Sequence, residues 1–230
     1  MEIKSLISKK RMLFAAGELP FDSLAAPENR SKLQKEFKLE TLSWGERGNI
    51  PMLHGTRGQF PYQDKIRSIM EMSIQPIALE VIVDGETEGA DCVLGILEAL
   101  LSSFSAVERT DKWQPRETSH ETFCVCHLET ESWWQLSQPY TDFLHSAVLP
   151  KISEAYPNAE VVMLPGQVQF RLLFKMKVAH HLIAPKTFAI ELREGVSAEE
   201  RLFWTTSPLR SETHLEILRQ FEEMAGSAPR

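Results

Sequence analysis

A chain of 230 residues with 43% apolar and 25% charged side chains has ordinary globular composition and can bury its own core. It needs neither a disulfide nor a structural metal to fold. The net charge of −7 argues against a general nucleic-acid coat, yet residues 1–70 carry a net +4 and residues 71–230 a net −11, so a local basic contact in the N-terminal third stays open.

Ile3 to Phe14 fits either a short helix or a strand, and Pro20 to Arg30 reads as loop. Phe37 to Trp44 alternates like a strand. A long loop is expected next, holding Gly45, Gly48, Gly55 and Gly58 with Pro51 and Pro61. Residues 1–61 thus read as an irregular segment with a Gly-rich loop, packed on a main body of residues 62–226. Pro61 suits a first helical turn, and Tyr62, Ile66, Ile69, Met70 and Ser73 follow at helical spacing. Ile77, Leu79, Val81 and Val83 then share one face of a strand, and Asp84-Gly85 turns the chain. Val93, Ile96, Leu97, Leu100, Leu101 and Phe104 form the apolar face of a helix.

After a polar connection, His120 to Leu128 reads as a buried strand, so 76–128 forms a strand-helix-strand unit with the character of a parallel crossover. A helix opens near Ser137-Gln-Pro139. Val161 to Val178 reads as a hairpin turning at Pro165-Gly166, and Phe188, Ile190 and Leu192 continue an antiparallel meander over 160–194. Ser197 with Glu200 suits a capping box, or Leu202 to Thr206 a short strand. A last helix opens near Ser211 and ends at Gly226, leaving 227–230 as a frayed tail. The expected fold is a single compact α+β domain around a mixed sheet, closed by a C-terminal helix.

Four groups of residues have chemistry to weigh. Asp84, Glu86 and Glu88 sit in an acidic turn whose carboxylates suit a hard cation, although Gly95 stands where a calcium loop needs its last carboxylate. The helix dipole alone also favours acids there. His120, Cys124 and Cys126 share a strand face and combine imidazole with thiols, as zinc prefers, while buried cysteine is commonly core. Arg57, in the Gly-rich loop, could meet phosphate on freed backbone amides. Arg171, Lys175 and Lys177 form an outward basic row that suits an acidic partner or protects an edge.

No nucleophile elbow, phosphate loop or zinc-protease motif is present. Catalytic groups assemble in space, so the sequence does not decide whether the protein is an enzyme, and no cofactor is assigned. The leading expectation is a non-catalytic accessory protein that binds another protein. The alternatives are a metal- or phosphate-dependent hydrolase, and a nucleic-acid binder using the basic N-terminal third. No apolar run nears the roughly 20 residues of a spanning helix. Met12 to Ala16 is too short for the centre of a signal peptide. With three cysteines, an odd number, these features set the expectation of a cytoplasmic protein without membrane contact.

Overall fold

The computed structural model describes residues 1–104, 114–128, 146, 167–172, 186–196 and 200–226. The chain gathers into two compact units rather than the one body expected. The larger comprises Ser5–Phe123 with Ser207–His214, the smaller Met1–Lys4, Cys124–Thr206 and Leu215–Arg230. Among the described residues both contain helix and sheet, with more sheet than helix. The described strands are β1 (Glu2–Leu13), β2 (Thr41–Arg47), β3 (Ile50–Tyr62), β4 (Lys65–Gln75), β5 (Ala78–Asp84), β6 (Glu117–His127), β7 (Gln167–Leu172), β8 (Lys186–Leu192) and β9 (Leu202–Ser207). The described helices are α1 (Pro27–Glu36), α2 (Thr87–Ser103) and α3 (Ser211–Gly226), with a 3-10 turn at Phe21–Ala25. None of them is long and apolar enough to cross a membrane.

In the larger unit the strands lie in the order β2-β3-β4-β5-β1-β6. The strands β2 to β5 form a meander closed by two-residue turns, with Arg47 opposite Ile50, Tyr62 opposite Lys65 and Gln75 opposite Ala78. Gly48 and Asn49 both have positive φ, as do Gln63 and Asp64, which matches the twist of paired strands. β1 pairs antiparallel with β5 and lies between β5 and β6. Every pairing with a defined register is antiparallel, against the mixed sheet expected.

The N-terminal 61 residues are therefore not irregular, and the Gly-rich loop is the β2–β3 hairpin. The helix expected from Tyr62 is β4. Its apparent helical spacing has a physical source. Ile69, Met72 and Ile74 are buried, while Met70 and Glu71 both point outward, because the register with β5 shifts between Ile69 and Glu71. That bulge breaks the alternation of a strand and mimics a spacing of three. The loop expected at Pro20 to Arg30 is the 3-10 turn and the start of α1, which opens on Pro27.

The core of the larger unit lies on one side of this sheet. Leu79, Val81 and Val83 of β5 are fully buried, and α2 packs on them with Val93, Leu94 and Leu97. Each such side chain contributes about 1.5–3 kcal/mol on burial. The expected strand at 77–83 and helix after it stand as read. Behind α1, Lys38 adopts a left-handed φ of 46° and turns the chain back, so that buried Phe37 and Leu39 settle on β3. The contact is close enough to admit only glycine. A Cβ at Gly58 would lie 2.8 Å from the Phe37 carbonyl oxygen and 2.8 Å from Leu39 Cδ2. The same carbonyl accepts a 2.7 Å hydrogen bond from the Gln59 amide.

In the smaller unit β6, from Cys124 onward, is followed by β9, β8 and β7 in sheet order. Its buried side chains include Cys124, Cys126, Leu128, Ala189, Ile190, Phe203 and Leu218. The strand expected at Phe188–Leu192 is β8, and of the two readings near residue 202 the strand is the one present. β7 forms part of the expected second hairpin arm. The first arm, the helix near Ser137 and the tail at 227–230 lie outside the described residues.

Gly58→Ala is expected to destabilise the protein by about 1–3 kcal/mol, because backbone and not a yielding side-chain tip opposes the new methyl. Gly45→Ala, with nothing within 4 Å, is expected to stay within about 0.5 kcal/mol. Urea unfolding of both variants checks the pair.

Candidate functional site

The acidic turn is built where β5 hands over to α2. Asp84 ends β5 and is exposed, and Gly85, with a φ of 108°, makes the turn. Glu86 is the helix N-cap residue but makes no side-chain cap bond. The cap comes from far along the chain. Ser211 Oγ accepts a 2.9 Å hydrogen bond from the Thr87 amide, and Thr87 Oγ1 accepts a 2.8 Å bond from the Ser211 amide. Each helix start thus caps the other, between two residues that are both 1% exposed.

The N-terminal residues of the two helices, joined by these bonds, concentrate positive potential, and the acids answer it. Arg210 Nη2 donates to Glu88 at 3.1 Å and to Asp91 at 2.8 Å, while Lys10 Nζ donates to Asp91 at 2.6 Å. Burial alone would raise the Asp91 carboxyl, but the Lys10 and Arg210 bonds outweigh it and hold it below the usual carboxylate range. Glu86 lies 3.9 Å from Arg67. Glu86 and Glu88 therefore face protein cations.

His120 stands near this cluster. Burial first, then the Arg210 charge, holds its imidazole below the ordinary value, and its buried Nδ1 has no hydrogen-bond partner among the described residues. Cys124 and Cys126 belong to the smaller unit, where both are buried. Hydrogen bonding to Cys124, together with burial, pushes the Cys126 thiol up, and the Cys124 carbonyl accepts a 3.2 Å bond from Thr205 Oγ1. Among the described residues no three His, Cys, Asp or Glu side chains form a group that could hold a metal.

Arg57 is found at a different kind of place. In β3, Gly55 and Gly58 both face the core, so Thr56 and Arg57 turn outward in succession, with Arg57 at a φ of 54°. Directly across, Met70 and Glu71 do the same on β4. Thr56 pairs with Glu71 and Gly58 with Ile69, so the two irregularities cancel and the β3–β4 register is kept. The result is a hollow of about 730 Å³, lined among others by Glu40, Arg57, Gln59, Ser68, Met70 and Glu71. Arg57 Nη1 donates to Glu40 at 3.1 Å, and His54 Nε2 lies 3.6 Å from Glu71. Single-sequence alternation hides this site, because the outward pairs read as a loop on one strand and as a helix on the other.

Part of the basic N-terminal third is engaged within the protein. Lys9, Arg11 and Arg47 surround the buried Glu80 at 3.4, 3.8 and 3.3 Å. Arg171 lies on β7, while Lys175 and Lys177 lie outside the described residues.

Ser211→Ala and Thr87→Val are each expected to cost about 1–2 kcal/mol, and the double variant less than their sum, because they break the same bonds. Urea melts of the four proteins check this. A second expectation concerns pH. His214 is fully buried, and burial pushes its imidazole from 6.5 down to about 4. The unfolded chain takes up that proton near pH 6.5 and the folded one resists until about pH 4. Stability is thus full above the unfolded value and falls as pH drops through this window, by up to about 3 kcal/mol from this group. Unfolding free energy measured from pH 7 to 4 should decline, with His120 acting in the same direction. The chain matches no protein-family model and no curated protein.

Proposed function

We propose that the protein is a non-catalytic, cytoplasmic binding protein that takes an extended segment of a partner polypeptide at the hollow between Arg57 and Met70. One observation carries this reading. Two neighbouring strands each turn two successive side chains outward at the same level, and one of the four has left-handed backbone without being glycine. Such backbone costs on the order of 1–3 kcal/mol and clusters where side chains must be aimed for a purpose.

Apart from Glu40, the lining residues named for the hollow lie on β3, β4 and β5, so much of its shape exists before a partner arrives and less ordering entropy is lost on binding. Met70 is 44% exposed and offers an adaptable apolar contact beside polar neighbours. A nucleic-acid reading lacks comparable support, since Lys9, Lys10, Arg11, Arg47 and Arg57 all lie against carboxylates.

Panning a random peptide library on the purified protein tests the proposal. Retained peptides are expected to bind Met70→Ala about tenfold more weakly than wild type. Ile66→Ala alters another exposed apolar residue of β4, outside the hollow, and is expected to bind as wild type does. Equal binding by wild type and Met70→Ala, or no retained peptide, would overturn the reading.

A further inference from the structure

We infer that the hollow recognises a lysine or arginine side chain of a basic partner segment, with the Glu71 carboxylate as its principal acceptor; this rests on the binding role just proposed. The argument starts from which acceptors are already engaged. Glu40 receives the Arg57 guanidinium at 3.1 Å. Glu71 accepts no hydrogen bond among the described residues, the His54 imidazole lies 3.6 Å away, and its side chain is 53% exposed.

Two further polar side chains line the same hollow, the Ser68 hydroxyl and the Gln59 amide, and neither has a hydrogen-bond partner among the described residues. Three acceptor groups thus stand around one recess, and an ammonium or guanidinium supplies the donors they lack. The apolar wall suits the remainder of such a side chain. Met70 and Ile82 also line the recess, and the methylene stem of lysine or arginine lies along apolar surface while its charged head reaches a carboxylate.

Charge points the same way within the lining, where Glu40 and Glu71 outnumber Arg57. A basic side chain entering the recess therefore meets complementary charge, although residues 1–70 as a whole carry a net +4. A bidentate approach of an arginine to Glu71 would be the strongest form of the contact.

The experiment is the same peptide selection, read for composition and repeated on charge variants. Peptides retained by wild type are expected to be enriched in lysine and arginine. Glu71→Gln should weaken them about tenfold, the usual loss when a charge-assisted hydrogen bond is removed. Glu71→Lys should shift selection towards aspartate- and glutamate-containing peptides. Glu36→Gln, an exposed glutamate of α1, serves as the control and should bind as wild type does. Circular dichroism and melting temperature confirm that each variant is folded, and the neutral Glu71→Gln decides the matter if the reversal disturbs the strand. Retained peptides that depend on Met70 but lack basic residues, or equal losses in Glu71→Gln and Glu36→Gln, would overturn this inference and leave the binding role standing. No retained peptide at all would overturn both.

Discussion

The close approach of Phe37–Leu39 to β3 is the constraint on which the larger unit depends. A backbone carbonyl and a leucine side chain lie where a Cβ at Gly58 would be, and Leu39 also lies within 2.8 Å of the Cβ position at Gly55. Both glycines must therefore face the core, although they are three residues apart. A regular strand would send them to opposite faces. The extra outward residue at Arg57 follows from that demand. Its counterpart on β4 lets the two strands keep their ladder, and the register against β5 takes up the difference. The glycine contact in the core thus fixes where the outward residues, and with them the hollow, lie on the sheet.

Local pattern was readable where period and burial agreed. β5 alternates over a face whose leucine and valines are fully buried, and α2 keeps a continuous apolar stripe, so both emerge from the residues alone. The N-terminal third is harder to read because its glycines and prolines resemble loop punctuation. Pro51, Gly55, Gly58 and Pro61 all lie within β3, where two of them are packing requirements and not breaks. The pair Gly48-Asn49 was the available clue, since both residues readily take the positive φ of a tight hairpin. The turn at Gln63-Asp64 offers a weaker clue, because it lacks glycine.

The candidate site was legible only in fragments. Arg57 could be named from its type and its glycine neighbours, but Glu40 and the pair Met70-Glu71 come from two other points in the chain. Their meeting depends on strand register, which one sequence does not reveal. The acidic turn shows the opposite case. Its carboxylates were visible as a cluster, and the cations that answer them, Lys10 and Arg210, come from β1 and from the residue before α3. A cluster that looks poised for a metal is here part of an ion-pair network over two helix starts. Partly buried pairs of this kind hold their elements in place more than they add net stability.

The reciprocal cap between Thr87 and Ser211 spans 124 positions in the chain. A ribosome releases residues 1–123 long before it reaches 207, so α2 must wait through that interval with its first turn uncapped and with Asp91 lacking one of its two cations. Vectorial synthesis therefore delivers an incomplete larger unit, and its closure is timed by emergence of the short Ser207–His214 segment.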